Sequence, residues 1–203
     1  MKKFFCLLLL VFIGQVVFAQ NKPSQDEGKK KKKTDKFLFG VGGFQLASIT
    51  GDASSYDSPL PGFVVGFGIK LVDFGNNWSV ITDLEYSQQG SKYKDTYASG
   101  KAILSYLNLP IVGRYRTKSG FFGEAGLQPG ILLSAKDKVG GSTYDFKDQV
   151  KNFDLAVPLG VGFGFQNGFD VEVRVAPGLL NLNKEGNDKS HNLVSGLRVA
   201  FNF

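Results

Sequence analysis

The sequence predicts an all-β fold, an eight-stranded antiparallel transmembrane up-and-down β-barrel, and three observations carry that expectation. Apolar and polar residues alternate with a period of two along eight separate stretches, which in a strand sends them to opposite faces. The links between the stretches alternate long and short, the asymmetry of a barrel with tight turns on one side of a membrane and longer loops on the other. After residue 20 no segment approaches the ~20 consecutive apolar residues of a membrane-spanning helix. A mean hydropathy near zero fits such a barrel, because lipid-facing and lumen-facing residues cancel in any window average.

The N-terminus sets the compartment. Lys2 and Lys3 precede the apolar run from Phe4 to Ile13, and Val17-Phe18-Ala19 before Gln20 is a small-residue cleavage site. Residues 1–19 therefore read as a signal peptide. Cys6 lies too far upstream of that site to be a lipoprotein cysteine, so the mature chain has none, which excludes a disulfide framework and thiolate metal sites. Residues 20–36 have no apolar periodicity and contain the run Lys29 to Lys33. They read as a disordered, Lys-rich periplasmic leader. Residues 1–36 hold nine lysines against Asp26, Glu27 and Asp35, which is the whole formal charge of +6. Residues 37–203, the barrel domain, are neutral overall, so a nucleic-acid partner is not expected.

Strand one is expected at residues 36–49 and strand two at 61–72, where Phe63, Val65, Phe67, Ile69 and Leu71 alternate with Val64, Gly66, Gly68 and Lys70. A polar loop, 50–60, joins them, and 73–77 forms a tight turn by composition. In strand three, 78–90, Trp78, Val80, Leu84 and Tyr86 oppose Ser79, Asp83, Glu85, Ser87 and Gln89. After a loop at 91–101, strand four covers 102–116, with Leu107, Leu109, Ile111 and Tyr115 against Tyr106, Asn108, Val112, Arg114 and Arg116. A turn at 117–120 leads to strand five, 121–134, and a long polar loop, 135–151, to strand six, 153–166. Asn167-Gly168 is a strong hairpin signal. Strand seven, 169–182, sets Phe169, Val171, Val173 and Val175 against Asp170, Glu172 and Arg174, and a loop at 183–190 precedes strand eight, 191–203. Pro110, Pro129, Pro158 and Pro177 fall inside these strands. Proline cannot donate to a ladder, so each marks a bulge or kink.

Parity then sorts the side chains. Lys70, Asp83, Glu85, Arg114, Arg116, Glu124, Gln128, Asp170, Glu172, Arg174 and Arg198 face the lumen. Eight strands enclose an interior just wide enough for side chains to fill. Charges of both signs there imply an internal ion-pair network, whose core is Asp83, Glu85, Arg114, Arg116, Glu124, Asp170, Glu172, Arg174 and Arg198. A narrow solute pore is the alternative. A secreted lipocalin-like barrel would instead turn its apolar residues inward around a ligand. Phe37, Trp78, Tyr86, Tyr115, Phe121, Phe153, Phe165, Phe169 and Phe203 lie near strand ends, where interfacial girdles belong.

No catalytic residue is expected. The single histidine, His191, has the lipid-facing parity and shares its face with Leu193 at i+2, so no serine stands where a His–Ser pair needs it. That weighs against a lipid A-modifying enzyme. One histidine without cysteine leaves only carboxylate metal sites, and no phosphate-binding glycine loop opens a helix. No metal or cofactor is expected.

Ser105-Tyr-Leu-Asn-Leu-Pro-Ile-Val-Gly-Arg-Tyr115, Leu84-Glu-Tyr-Ser-Gln-Gln-Gly90 and the stretch from Asp154 to Leu182, with Gly178-Leu-Leu-Asn-Leu182 as its most specific part, resemble the motifs of PorT-like outer-membrane barrels of Bacteroidota. The chain departs from that pattern at Val175-Ala176, where an aromatic often precedes the Gly-Leu element. The resemblance implies an eight-stranded barrel in the bacterial outer membrane, and one member of the family is associated with protein secretion. The last strand also resembles the closing strand of outer-membrane barrels, in which Phe201 and Phe203 would form the signal read by the barrel assembly machinery. The expected partners are outer-membrane lipid, that machinery, and envelope or secretion proteins at the outer loops. The expected function is structural or interactive, as an accessory of secretion or envelope assembly.

Overall fold

Period-two alternation folds into β1 (Leu38–Gly51), β2 (Ser58–Gly75), β3 (Trp78–Lys94), β4 (Ser99–Asn108), β5 (Ile111–Arg116), β6 (Phe121–Val139), β7 (Ser142–Asp145), β8 (Phe153–Ala156), β9 (Leu159–Gly164), β10 (Phe169–Pro177) and β11 (Ser190–Asn202). The computed structural model describes residues 38–52, 58–94, 99–184 and 188–203. The expected signal peptide, the expected leader and Phe37 lie outside the described residues.

Every pairing between these strands is antiparallel, and the sheet closes on itself. β1 pairs with β2 and β2 with β3. β3 pairs with β4 and β5, and these with β6. β6 pairs with β8 and β9, β9 with β10, and β10 with β11. β11 returns to β1 in unbroken register from Phe39↔Asn202 to Gly51↔Ser190. Counting β4 with β5 and β8 with β9 as one stave each gives the eight-stave barrel, a closed ring in which every stave has a neighbour on both sides, while the short β7 hangs on β6 alone. Among the described residues no helix is long and apolar enough to cross a membrane; the crossing is made by strands.

The four prolines explain where the expected strands break. Pro110 separates β4 from β5, Pro158 separates β8 from β9, and Pro177 ends β10, while Pro129 stays inside β6. None can donate, yet each carbonyl accepts a backbone N–H, from Asp83 to Pro110 (3.2 Å), Leu109 to Pro129 (2.9 Å), Gly126 to Pro158 (3.2 Å) and Val157 to Pro177 (3.0 Å). The wall therefore loses the donor half of a ladder step and keeps the acceptor half. Strand seven stops at Pro177 rather than at 182. Beyond it the chain continues irregularly, with Gly178 donating to Asn192 and Leu182 to Ser190.

The expected loops are shorter because strands overshoot them. β3 runs to Lys94, β4 begins at Ser99, and the 135–151 segment is partly a hairpin of β6 with β7 followed by a 3₁₀ turn at Lys147–Gln149. At the opposite end, Asn76 and Asn77 both have positive φ, 50° and 74°. That is the geometry of a two-residue type I′ hairpin turn, which asparagine tolerates well.

Large apolar side chains cover the outside. Phe44 is 81% exposed, Val161 66% and Phe121 62%, an arrangement that is stable in hydrocarbon and costly in water. The buried charged residues, among them Asp83, Glu124, Glu172 and Arg174, are inside, the reverse of a lipocalin-like interior.

Candidate functional site

The lumen is layered along the barrel. At the turn end Phe39, Ile81 and Val112 pack with Ala200. At the loop end Ile49, Ala102, Leu104, Tyr106, Leu132, Ala135, Val150 and Leu182 form a second apolar cluster. Val150 and Leu182 come from the segments around 150 and 178–184, which bridge across the mouth at Val150↔Asn183. The charged layer starts beside the turn-end cluster, where Arg114 and Arg116 lie nearer the turn than Val112 on β5 and Asp170 pairs with Ala200, and extends toward the loop end.

That layer joins five strands. β3 supplies Asp83 and Glu85, β5 Arg114 and Arg116, β6 Glu124, β10 Asp170, Glu172 and Arg174, and β11 Arg198. All but Arg116 are buried. Arg114 donates from Nε to Glu124 Oε2 at 2.8 Å and from Nη1 to Asp170 Oδ2 at 2.9 Å. Arg116 grips the same Asp170 with two bonds, 3.0 Å and 2.5 Å. Both guanidinium groups also stack on Phe122, at 4.2 Å and 4.9 Å from its ring centre, so that inward-facing ring adds cation–π attraction to the pairing. Arg174 donates to Glu172 Oε1 at 2.7 Å and to Glu124. Its Nη1 lies 3.9 Å from both Asp83 and Glu85 on β3, the stave diametrically opposite β10 in the ring. Arg198 reaches the same pair, Asp83 at 3.2 Å and Glu85. The charges thus bridge the full width of the lumen.

The room for these long side chains comes from glycine-lined walls. A Cβ at Gly160 would lie against Glu172 Oε1 and 2.9 Å from Glu124 Cγ, and one at Gly68, on the opposite wall, would meet the Phe39 ring and Asp83. Glycine at these positions answers close approach. A cavity of about 30 Å³ remains beside the network, lined in part by Gln45, Ser87, Gln89, Asn108, Arg174 and Arg198. That is room for about two water molecules, far from an aqueous channel.

The expected lumen residues outside this core sit at its margins. Gln128 is buried. Lys70 is half-buried and pairs with Asp73 at 3.3 Å beside the β2–β3 turn, so it belongs to the mouth rather than to the central network. His191 lies opposite Thr50 at the loop end of β11. Its neighbour Ser190 is on the other face, where Asn183 Nδ2 approaches its hydroxyl at 3.4 Å. The terminal aromatics line up on the outer surface, Phe201 4.7 Å from Phe169 and 5.4 Å from Phe203, and the Phe203 N–H donates to Leu38 O.

Sequence reasoning passed over Asp154, Asn192 and Tyr106, which form a polar cluster above the charged layer. Asn192 Nδ2 donates to Asp154 Oδ2 at 2.8 Å and approaches the Tyr106 hydroxyl at 3.4 Å. It also missed Phe122. The signal existed in each case, since Phe122 shares the parity of Glu124 and Asp154 that of Gly160.

Solved outer-membrane structures share this architecture. Neisserial surface protein A aligns over 82% of this chain and 97% of its own, with a TM-score of 0.57 at 14% identity. Ail, the attachment invasion locus protein of Yersinia pestis, aligns over 83% of this chain and 99% of its own, with a TM-score of 0.50 at 16% identity. At such identities the likeness is one of fold. No curated protein sequence matches the chain significantly. The family model described as outer membrane protein beta-barrel domain matches residues 18–184. The protein is an outer-membrane β-barrel located in the bacterial outer membrane, and the chain belongs to the outer membrane protein beta-barrel domain family.

Proposed function

We propose that this barrel is a closed, non-catalytic scaffold that works through its loop-end surface, as an accessory of protein secretion or envelope assembly. The observation that carries the proposal is the cross-lumen bridge: arginines and carboxylates tie opposite walls together, and the cavity beside them among the described residues holds about 30 Å³. A small-solute pore would need that bridge to part. A lipid A-modifying reaction would need an activated nucleophile, whereas His191 and Ser190 occupy opposite faces of β11. The secretion or assembly role rests on the resemblance of Ser105 to Tyr115 and Gly178 to Leu182 to PorT-like barrels of Bacteroidota. In this reading residues 1–19 are removed on export, 20–36 remain on the periplasmic side, and the strand ending in Phe201 and Phe203 is handed to the barrel assembly machinery. Crosslinking in intact outer membranes followed by affinity recovery tests the role. Recovery of a secretion or assembly complex, lost when the β6–β7 hairpin is shortened, supports it; a barrel that emerges with lipid alone contradicts it.

A further inference from the structure

The charged layer does not balance. Asp83, Glu85, Glu124, Asp170 and Glu172 bring five carboxyl groups against the four guanidinium groups of Arg114, Arg116, Arg174 and Arg198. Two further inward charges do not correct the sum. Lys70 pairs with Asp73 at the turn-end mouth, and Asp154, above the layer, accepts from Asn192 and from the Leu155 N–H.

The surplus acid can be placed. Arg114 and Arg116 both hold Asp170, and Arg114 also holds Glu124. Arg174 directs its close bonds to Glu172 and Glu124. Asp83 and Glu85 are left with Arg198, whose Nη2 meets both carboxyl groups, while Arg174 Nη1 stays 3.9 Å from each. On the wall their neighbours are uncharged, with Gly68 opposite Asp83 and Gly66 and Asn108 opposite Glu85. The titratable groups that face the pair are therefore those of Glu124, Glu172, Arg174 and Arg198. One guanidinium nitrogen thus gathers two carboxyl groups, i and i+2 on β3, each only 2% exposed.

An independent observation marks the same spot. Asp83 Oδ1 is buried and has no hydrogen-bond partner among the described residues. If both groups were ionised they would repel each other around a single cation, and this bare oxygen would carry charge that no donor offsets. In a neutral acid it is a carbonyl oxygen, which costs far less to leave unpaired, and the acid's O–H can donate to the adjoining carboxylate. A metal ion fits less well as the counter-charge, because among the described residues no three acidic or histidine side chains are placed to ligate one.

We infer that Asp83 and Glu85 form a proton-binding site: at neutral pH the pair shares one proton and carries a single negative charge, which Arg198 matches. The proton belongs to the pair rather than to either residue. With it bound, the layer holds four negative and four positive charges. Its stabilisation of the bridge is present while the proton is held and is lost as rising pH removes it. The site is independent of any secretion role.

Infrared spectroscopy of the protein refolded into lipid vesicles in heavy water provides the test. The wild type should show a carboxylic-acid C=O band at neutral pH that disappears in alkali. The band should be missing from D83N/E85Q and intact in D73N, whose carboxylate stands in solvent at the mouth. In urea unfolding at neutral pH, D83N and E85Q should each keep the wild-type midpoint, because either leaves one carboxylate for Arg198. D83N/E85Q should unfold earlier, because it leaves Arg198 unmatched. In alkali the wild-type midpoint should fall towards that of the double variant while the single variants hold theirs. A wild-type spectrum without the acid band overturns the site, and this readout needs no variant to fold. Single variants that each lower the midpoint as far as the double would show two ionised carboxylates and overturn it too. Stabilisation by sodium ions in the absence of the band would assign the counter-charge to a bound cation instead of a proton.

Discussion

Arg174 meets carboxylates from three strands: Glu172 beside it, Glu124 on β6, and Asp83 with Glu85 across the lumen. Buried charges are tolerated only when matched, and removing one partner strands the others at a cost of about 3–5 kcal/mol. Arg174→Ala should therefore destabilise the barrel by about that much in urea unfolding from lipid vesicles. The triple variant R174M/E124M/E172M should lose less, because it removes the charges together, leaving Arg114 with Asp170 and Arg198 with Asp83 and Glu85. A triple less stable than Arg174→Ala would show that the network is not governed by charge compensation. The residue types of this layer were legible from parity, since each strand assigned its own charges to one face. Partner choice was not, because which arginine meets which acid depends on stagger between strands distant in sequence. Phe122 and Asn192 were overlooked for a related reason. A lone aromatic or amide on the polar face acquires a role only when a guanidinium or a carboxylate arrives from another strand.

At the scale of elements, the eight staves and the closure of the last strand on the first could be read from period and link length. Their ends could not. Pro110 and Pro158 divide staves that continue in space because their carbonyls still accept, and alternation carries no record of that. The overshooting ends of β3 and β6 read as polar loop, since a strand wetted on both faces loses the apolar half of its pattern. Under the proposed assembly role, the terminal element separates folding from delivery. Phe203 contributes one backbone bond to Leu38 and an edge contact with Phe201, together worth about 2 kcal/mol. Deleting Phe203 should leave the refolded protein within that margin in denaturant titration while its level in the outer membrane falls severalfold. A wild-type level in the membrane would remove the assembly role from the last residue.

The whole molecule inverts the arrangement of a soluble barrel, with apolar residues outside and ions inside, and it pairs those ions across the lumen. Each side of the wall then has its own task. The outer face meets lipid, the overshooting strands carry the loops, and the interior ties opposite walls together. Fold class and location follow from alternation. A biological role does not, because the loops proposed to carry it name no partner by their composition. The filled lumen is the central property, and single-channel recording in planar lipid bilayers addresses it most directly. The purified barrel should show no steady conductance, because the bridge from Arg174 to Asp83 and Glu85 spans the lumen and the cavity beside it holds only about 30 Å³. Stable nanosiemens channels from the wild-type protein would contradict it.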